Sequence, residues 1–303
     1  MTIAHLKTRS HIFQTVRQFF WERDFIEVET PVRIPAPAIE THIDVPSSER
    51  AWLRASPELH MKRLLVSGAD RLFQIGPCFR SGECGQRHNP EFTLLEWYRT
   101  QADYSAILSD TVALLQQVVQ RVTSTQRLVY QGQHLSFAQP WHQITVQEAY
   151  RQWAGWDPVT HWDPDHFDFD MVTCIEPNLP RDRPCVLTDY PAPAAALARL
   201  NPQNPAVAER WELYVGGLEI ANAYTELCDP ITQRQRFLED AATRRKLGKA
   251  DYPIDEPFLE ALQQGMPPCG GIALGMDRLV MLLCDTPDIA EIRAFCQRPG
   301  ELW

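Results

Sequence analysis

The sequence predicts an α+β fold, and three observations support this class. Apolar residues recur at helical spacing over residues 5–25, which is typical of an amphipathic helix. Two pairs of strand-like segments follow, one joined by a polar loop within residues 79–99 and the other by Gly216 and Gly217. Near the end of the chain, residues 271–285 begin as a glycine-punctuated strand and continue as an apolar helix.

The first helix leads into a strand predicted at residues 25–32, and residues 104–122 predict a second helix. Residues 234–248 predict a polar helix that ends at a glycine C-cap. The apolar face of the first helix comprises Leu6, Ile12, Phe13, Val16, Phe19 and Phe20. Proline clusters that mark loops or element boundaries lie at residues 31–46, 158–205 and 253–268.

Composition limits the possible functions. The chain has 303 residues, 44% of them hydrophobic, and a formal charge of -10, which argues against nucleic-acid binding by the chain as a whole. No apolar run reaches the roughly 18 residues that a membrane span requires, so no membrane partner is expected. The eight cysteines are scattered without a C-x-x-C pair, which predicts reduced thiols and a cytoplasmic location.

The second strand of the hairpin within residues 79–99 has an aromatic and acidic face. Period-two alternation places the following side chains on that face: Phe92, Leu94, Glu96 and Tyr98. In the ordinary interpretation, Phe92 and Tyr98 belong to the core and Arg80 pairs with Glu96. The hairpin alone favours this interpretation.

Arg80, at the end of the first strand of this hairpin, suggests a different role. Its planar guanidinium, with His88 and Asn89 in the connecting loop, suits an anion such as a phosphate. Phe92 can stack on a base. The hairpin therefore also fits one wall of a nucleotide site.

The strand pair around Gly216 carries more carboxylates than a core strand usually does. Alternation places Asn222, Tyr224 and Glu226 on one face. Carboxylates in excess of nearby bases indicate either a divalent cation or a cationic ligand. The carboxylates suited to a cation are Glu212 and Glu219.

Near the C-terminus, Gly270, Gly271 and Gly275 lie just before Arg278. These glycines allow a ligand to approach the backbone, and Arg278 presents a second guanidinium at the start of a helix. Combined with Arg80, the stacking aromatic ring and the acidic strand, this pattern describes a nucleoside-triphosphate site without a P-loop.

These segments resemble the three motifs of the class II aminoacyl-tRNA synthetases, and within them the lysyl branch. FIEVETPV is similar to motif 1, FRSGECGQRHNPEF to motif 2 and GIALGMDRL to motif 3. The resemblance covers nearly the whole chain. It implies a single catalytic domain over residues 1–303, an antiparallel sheet flanked by helices, and a homodimer formed through the motif 1 helix and strand.

The resemblance also implies ATP and Mg²⁺ as cofactors. Arg80 would hold the α-phosphate, His88 and Arg278 the γ-phosphate end, and Phe92 would stack on adenine; Arg80 and Arg278 would be the catalytic residues. The implied magnesium ligands are Glu212 and Glu219. The other implied ATP-binding residues are Glu83, Asn89, Glu219, Ile220 and Gly275.

The segment ASPELHMKRLL resembles the lysyl-branch segment whose glutamate, here Glu58, receives an amino group of the substrate. Lysine or β-lysine would therefore be the amino acid bound. The residues implied in the amino-acid pocket are Ser56, Pro57, Glu58, Glu96, Tyr98, Asn222, Tyr224, Glu226 and Ala273.

Some features depart from a lysyl-tRNA synthetase. The synthetases carry an N-terminal oligonucleotide-binding barrel that reads the anticodon, whereas this chain is expected to lack it. Ser56 and Ala273 stand where the synthetases commonly have alanine and glycine, and Glu83 would replace an adenine-reading glutamate missing at Gly82. The chain thus resembles the synthetase paralogues that attach β-lysine to a lysine of elongation factor P.

The implied reaction has two steps. The amino-acid carboxylate attacks the α-phosphate and expels pyrophosphate, and an acceptor amine then attacks the adenylate. Elongation factor P is the expected acceptor, and tRNA is not. The alternatives are a truncated lysyl-tRNA synthetase-like enzyme that charges tRNA, a non-catalytic regulatory paralogue, and an amide synthetase acting on a free small molecule.

The run Arg244, Arg245 and Lys246 is expected on a solvated helix face, and an acidic partner surface is the alternative for it.

Overall fold

The computed structural model describes residues 1–297, and its centre is an eight-stranded sheet. In chain order its strands are β1 (Ile26–Glu27), β5 (Arg71–Phe79), β6 (Glu91–Thr100), β9 (His142–Thr145), β10 (Cys185–Pro191), β11 (Val207–Val215), β12 (Leu218–Thr225) and β13 (Cys269–Gly275). The spatial order is β1-β5-β6-β13-β12-β11-β10-β9. The six central strands pair antiparallel, and the two edge strands β1 and β9 pair parallel to their neighbours.

Two small sheets and the helices surround this sheet. The small sheets consist of β2 (Arg33–Ile34), β3 (Ser47–Ser48) and β4 (Ala51–Leu53), and of β7 (Arg127–Tyr130) with β8 (Gln133–Ser136). The helices are α1 (Ile3–Trp21), α2 (Glu58–Val66), α3 (Tyr104–Thr123), α4 (Val146–Trp153), α5 (Pro164–Asp170), α6 (Pro230–Lys246), α7 (Glu256–Gly265) and α8 (Met276–Leu283). This architecture confirms the predicted α+β class.

The main core lies between one face of the sheet and the helices α1, α3 and α8. Phe20 of α1 stacks on Phe73 of β5 with ring centroids 4.7 Å apart and packs against Trp97 of β6. The predicted apolar face of α1 is buried except at two positions: Phe13 is partly buried, and Leu6 is 43% exposed. Trp97 and its strand neighbours thus bury one face of the sheet and leave the opposite face for the site.

The strand predicted at residues 25–32 is shorter in the structure, because only Ile26–Glu27 pair with β5. One further backbone bond follows, from the amide of Val28 to the carbonyl of Phe73 at 2.9 Å. The Thr30 hydroxyl then donates to Gln74 at 3.0 Å, and Pro31 has no N–H to continue the ladder. The chain therefore leaves the sheet early.

The hairpin β11–β12 turns at Gly216 and Gly217, whose φ angles of 60° and 81° require glycine or cost strain. β12 contains an irregularity: Leu213 pairs with Ala221, but the next residue, Tyr214, pairs with Glu219. Ile220 is thus the extra residue of a β-bulge, which reverses the alternation of side chains on its two sides.

Helix α6 ends where it was predicted to end, before Gly248 with a φ of 67°. The expectation of a solvated basic run is wrong for Arg244, which is fully buried. Its guanidinium binds backbone carbonyls of the loop after β2, whereas Arg245 pairs with Asp251 on the surface. Consecutive side chains of an α-helix point in different directions, so Arg244 and Arg245 lie on different faces of α6.

Within residues 1–297, no helix is both long and apolar enough to cross a membrane. The eight cysteines all lie in this part of the chain, and all are free thiols, as predicted.

Candidate active site

A cavity of about 340 Å³ opens on the face of the central sheet opposite the main core. A row of paired residues crosses its floor from strand to strand: Glu96 of β6, Ala273 of β13, Asn222 of β12 and Glu212 of β11. Because each is the register partner of the next, the predicted site face of β6 and that of β12 join into one surface. Ala273 lies between Glu96 and Asn222.

The next row along the strands is Tyr98, Gly271, Tyr224 and Arg210. Gly271 has a packing reason to be glycine. A Cβ built there would lie 2.2 Å from Oε1 of Glu226 and 2.3 Å from the Tyr98 ring. Any side chain at this position would therefore separate Tyr98 from Glu226, which lines the cavity beyond the end of β12.

The β-bulge at Ile220 determines where Glu219 lies. Without it, the alternation from Asn222 and Tyr224 would turn Glu219 toward the core. The bulge instead pairs Glu219 with Tyr214, and Glu219 lines the cavity together with Glu212.

Arg80 lies directly after β5, and its backbone N–H donates to the carbonyl of Pro90 at 2.9 Å. Its guanidinium carbon is 5.2 Å from the centroid of the Phe92 ring, and Nη1 lies 3.6 Å from a carboxylate oxygen of Glu83. Nε of Arg80 is buried and has no hydrogen-bond partner within residues 1–297. Arg80 does not pair with Glu96, so the ordinary interpretation of this hairpin is wrong on that pairing.

Arg278, in the first turn of α8, links three parts of the site. Its Nη1 donates to the backbone carbonyl of Glu219 at 2.8 Å and to that residue's carboxylate at 3.2 Å. Its Nη2 lies 2.7 Å from Nε2 of His88. Burial, together with the charge of Arg278, lowers the pKa of His88, so its ring accepts from Arg278 as neutral imidazole. A guanidinium held in this way presents its charge to the cavity.

Three further positions implied for ATP line the same cavity: Asn89, Ile220 and Gly275. Both ends of the Asn89 side-chain amide are hydrogen-bonded. Nδ2 donates to the carbonyl of Glu91 at 2.6 Å, and Oδ1 accepts from the backbone N–H of Gln297 at 2.9 Å. Asn89 therefore shapes the motif 2 loop. It is buried, with 4% of its surface exposed.

The amino-acid end of the cavity is built around Glu96. The hydroxyl of Ser56 donates to Oε1 of Glu96 at 2.6 Å, and the hydroxyl of Tyr98 donates to Oε2 at 3.0 Å. Burial, reinforced by the charge of Glu58, raises the pKa of Glu96 to about 8 despite these donors. The hydroxyl of Ser56 also accepts from the backbone N–H of Glu58, the first residue of α2, at 2.9 Å.

Sequence reasoning did not find Lys62, a fully buried lysine at the base of this pocket. Its ammonium lies 2.5 Å from Oε2 of Glu226 and also pairs with Glu58 one helical turn earlier. Burial alone would lower the pKa of Lys62, but Glu226 and Glu58 outweigh it and raise that pKa. Burial raises the pKa of Glu226 to about 8. The i,i+4 spacing from Glu58 was the available signal.

Glu40 and Arg210 were also missed. Glu40 lies in a proline-rich loop with no periodicity, and it lines the cavity. Arg210 pairs with Glu212 at 2.6 Å and lies over the Tyr190 ring at 4.3 Å. Period-two alternation from Glu212 would have placed Arg210 on the site face.

The remaining polar contacts lie along β11 and β12. The Tyr214 hydroxyl donates to Glu212 at 2.7 Å, and Nδ2 of Asn222 donates to the Tyr224 hydroxyl at 3.0 Å. Oδ1 of Asn222 is buried and lacks a donor among the described residues. The cavity thus holds an acceptor that only a ligand or solvent can satisfy.

The family model for class II tRNA synthetases (D, K and N) matches residues 2–299. The chain belongs to this family. The match includes all three motifs, and the structure brings their Arg80, Phe92 and Arg278 to one cavity. An ATP-dependent ligase chemistry follows from this membership and from the relatives.

The proteins similar to this chain include enzymes of two different names. The Elongation factor P–(R)-beta-lysine ligase of Mannheimia succiniciproducens is 36% identical over 97% of this chain and 95% of the relative. The protein of the same name from Vibrio cholerae is 37% identical with the same coverage. The Lysine–tRNA ligase of Magnetococcus marinus is 36% identical over 97% of this chain, which spans 64% of that relative.

Proposed function

We propose that this protein activates (R)-β-lysine, or lysine, as the adenylate and ligates it to the ε-amine of a lysine on elongation factor P. One observation carries the proposal: a single cavity has cationic side chains at one end, Arg80 and Arg278, and buried glutamates at the other. This pairing suits a triphosphate beside an amino acid with a second ammonium. The names of the two ligase relatives support the same reaction.

In the first step, the amino-acid carboxylate attacks the α-phosphate of ATP, and pyrophosphate leaves. Arg80 is placed to stabilise charge at the α-phosphate, while Arg278 and His88 hold the leaving group. Phe92, beside Arg80, supplies the aromatic face for adenine. The substrate's own carboxylate is the nucleophile, so the protein contributes position and charge.

Magnesium is the proposed metal, with Glu212 and Glu219 as its ligands. Within residues 1–297 no three acidic, histidine or cysteine side chains gather as a metal site. Mg²⁺ commonly binds one or two carboxylates and completes its shell with water and phosphate oxygens. Burial and the charge of Glu212 raise the pKa of Glu219, as expected for two carboxylates that line one cavity. The donor set therefore fits Mg²⁺, whose charge would neutralise the phosphates.

Lysine-like specificity is assigned to the carboxylates of Glu58, Glu96 and Glu226. A buried ammonium without a partner costs several kcal/mol, so a side chain that lacks the charge or cannot reach these groups is rejected. We assign the amino groups of the substrate to Glu58 and Glu226, and Ala273 narrows the floor between Glu96 and Asn222.

The second step transfers the activated acyl group to the acceptor lysine. Its ε-amine must be neutral to attack, although the pKa of a free lysine is about 10.4. The adenosine phosphate leaves as AMP, and the amine proton is lost. Because the acceptor is a translation factor, we place the reaction in the cytoplasm.

A mass measurement tests the proposal. The enzyme is incubated with ATP, Mg²⁺, (R)-β-lysine and either purified elongation factor P or total tRNA. We expect elongation factor P to gain the mass of one β-lysyl group and tRNA to remain unmodified. Modification of tRNA alone would refute the proposal.

Charging of tRNA is the second candidate, because the Lysine–tRNA ligase relative is as similar in identity as the ligases. The formal charge of -10 is unfavourable for binding a polyanion. The same incubation, repeated with α-lysine, separates the two candidates.

A further inference from the structure

Glu40 is a cavity residue whose carboxylate has no partner. It lies in the loop between β2 and β3 and lines the cavity beside Glu58 and Arg80. Within residues 1–297, its carboxylate makes no hydrogen bond and no ion pair, whereas Glu58, Glu96 and Glu226 each have a partner. Glu40 is half-buried, and an unpaired carboxylate that faces a cavity suits a ligand with a positive charge.

The backbone that carries Glu40 is held firmly. Arg244, fully buried, donates to the carbonyl of Glu40 at 2.9 Å and to that of Ile43 at 2.8 Å, and it pairs with Asp44 at 2.7 Å. The hydroxyl of Thr41 donates to Asp240 at 2.5 Å. The free carboxylate is therefore the exposed end of a rigid loop, as a preorganised binding group requires.

The charges around Glu40 place it at the reacting end of the amino-acid pocket. Burial and the charges of Glu58 and Asp240 outweigh Arg80 and Arg210 and raise the pKa of Glu40 to about 7. Glu40 is thus within electrostatic reach of both the pocket carboxylate Glu58 and the guanidinium of Arg80, which we assign to the α-phosphate.

A second unsatisfied group faces the same space. Oδ1 of Asn222 is buried without a donor, and its Nδ2 is bound to Tyr224, a residue whose electrostatic neighbours include Glu40 and Arg210. Because both groups line one cavity, an ammonium bound there has two acceptors available, the carboxylate of Glu40 and Oδ1 of Asn222. No donor within residues 1–297 binds both of them.

We propose that Glu40 is a specificity-determining residue that binds, together with Glu58, the amino group nearer the carboxylate of the substrate. Lys62 offsets one of the two negative charges of Glu58 and Glu226, so Glu40 supplies the additional negative charge that a second substrate ammonium requires. This inference rests on the proposed function, since it assumes an amino acid with two ammonium groups.

The test uses the substitution Glu40→Gln, which keeps the shape of the side chain and removes its charge. ATP–pyrophosphate exchange is measured with (R)-β-lysine and with 6-aminohexanoate, which retains the carboxylate and distal ammonium but lacks the proximal amine. We expect Glu40→Gln to lower the preference for β-lysine over 6-aminohexanoate by about tenfold, the loss of one charge-assisted contact. The KM for ATP should not change.

Two controls separate this role from a structural one. Glu49→Gln removes a carboxylate that lies outside the cavity and is paired with Arg33, and it should leave the substrate preference unchanged. Thermal unfolding of Glu40→Gln should occur at the same or a higher temperature, because the carboxylate has no partner to lose and is repelled by the charge of Glu58.

The outcomes distinguish the inference from the proposed function. If the unmodified enzyme fails to exchange pyrophosphate with β-lysine, the proposed function fails, and the inference with it. If it exchanges normally but Glu40→Gln keeps the same preference, the inference alone is refuted. If Glu40→Gln forms the adenylate normally and is slow only in transfer to elongation factor P, Glu40 acts on the acceptor amine instead, which also refutes the inference.

Discussion

Arg80 and Arg278 both line the cavity; Arg278 is held by short contacts to Glu219 and His88, and Arg80 lies beside Phe92 and Glu83. We expect Arg80→Ala and Arg278→Ala each to abolish amino-acid-dependent ATP–pyrophosphate exchange. Each loses a charge-assisted contact worth about 1.5–3 kcal/mol or more where charge develops. The rate of ATP–pyrophosphate exchange is measured for each variant, and circular dichroism checks that the variant is folded. Near-normal exchange in either variant would remove that residue from the mechanism.

Protonation of Glu96 should make amino-acid use depend on pH. Burial raises its pKa to about 8, with Glu58 adding to the effect and the donors Ser56 and Tyr98 opposing it. Below that pKa the carboxyl is neutral and attracts an ammonium weakly, so kcat/KM for β-lysine should fall as the pH is lowered through about 8. Glu226 titrates in the same range and acts in the same direction.

The measurement is kcat/KM for β-lysine between about pH 6 and pH 9.5, compared with kcat/KM for ATP as the internal control. The amino-acid profile should rise with pH more steeply than the ATP profile. Parallel profiles would show that the pocket carboxylates are already ionised at low pH.

At the scale of single residues, the sequence identified groups that face the site from regular strands. Glu96, Tyr98, Asn222 and Tyr224 could be predicted because alternation in a strand is a strong signal. Glu40 could not, since its loop has no periodicity and only the distant Arg244 fixes it.

At the scale of elements, the helices and hairpins were largely predictable and the irregularities were not. The turn at Gly216 and Gly217 and the helix after Arg99 follow from glycine and from amphipathic spacing. The β-bulge at Ile220 leaves no mark in the alternation of residue types. It nevertheless decides whether Glu219 faces the cavity or the core.

The contact between helix α6 and the loop that carries Glu40 gives a prediction at this scale. Arg244→Met removes a buried guanidinium that binds Asp44 and the carbonyls of Glu40 and Ile43. We expect the free energy of unfolding to fall by about 3 kcal/mol or more, because the carbonyls of Glu40 and Ile43 each lose a charge-assisted hydrogen bond worth about 1.5–3 kcal/mol. Urea denaturation measures the change.

The adjacent Arg245→Met is the matched control for this substitution. Arg245 pairs with Asp251 on the surface, where both side chains are more than half exposed. An exposed pair of this kind contributes at most about 1 kcal/mol. Equal losses in the two variants would contradict the role given to Arg244.

At the scale of the whole molecule, the antiparallel centre of the sheet brings segments that are distant in the sequence into one cavity. β13 lies between β6 and β12, so the C-terminal motif joins the hairpin of motif 2 to the acidic strand. Spacing along the chain cannot give this order. The resemblance to the synthetase family implied that Glu96, Asn222 and Ala273 share one pocket, and the strand order came only from the structure, in which Ala273 pairs with both Glu96 and Asn222.

The predicted homodimer also belongs to the scale of the whole molecule. It concerns the exposed surface of α1 and β1. α1 and the edge strand β1 expose large apolar side chains: Ile3, Leu6, Trp21 and Ile26. The free edge of β1 also offers unpaired backbone groups. An apolar surface beside an open strand edge is typical of an interface, and these are the elements for which the dimer was predicted.

Sedimentation at micromolar concentration tests the dimer. We expect the unmodified protein to sediment as a dimer and Trp21→Glu to sediment as a monomer, because Trp21 is 56% exposed on α1 and a charge there would be buried without a partner at the interface. Phe169→Glu is the control, since Phe169 is 65% exposed on α5, away from α1 and β1. It should leave the dimer intact. A stable monomer of the unmodified protein would refute the dimer, and a dimer that persists in Trp21→Glu would move the interface away from α1.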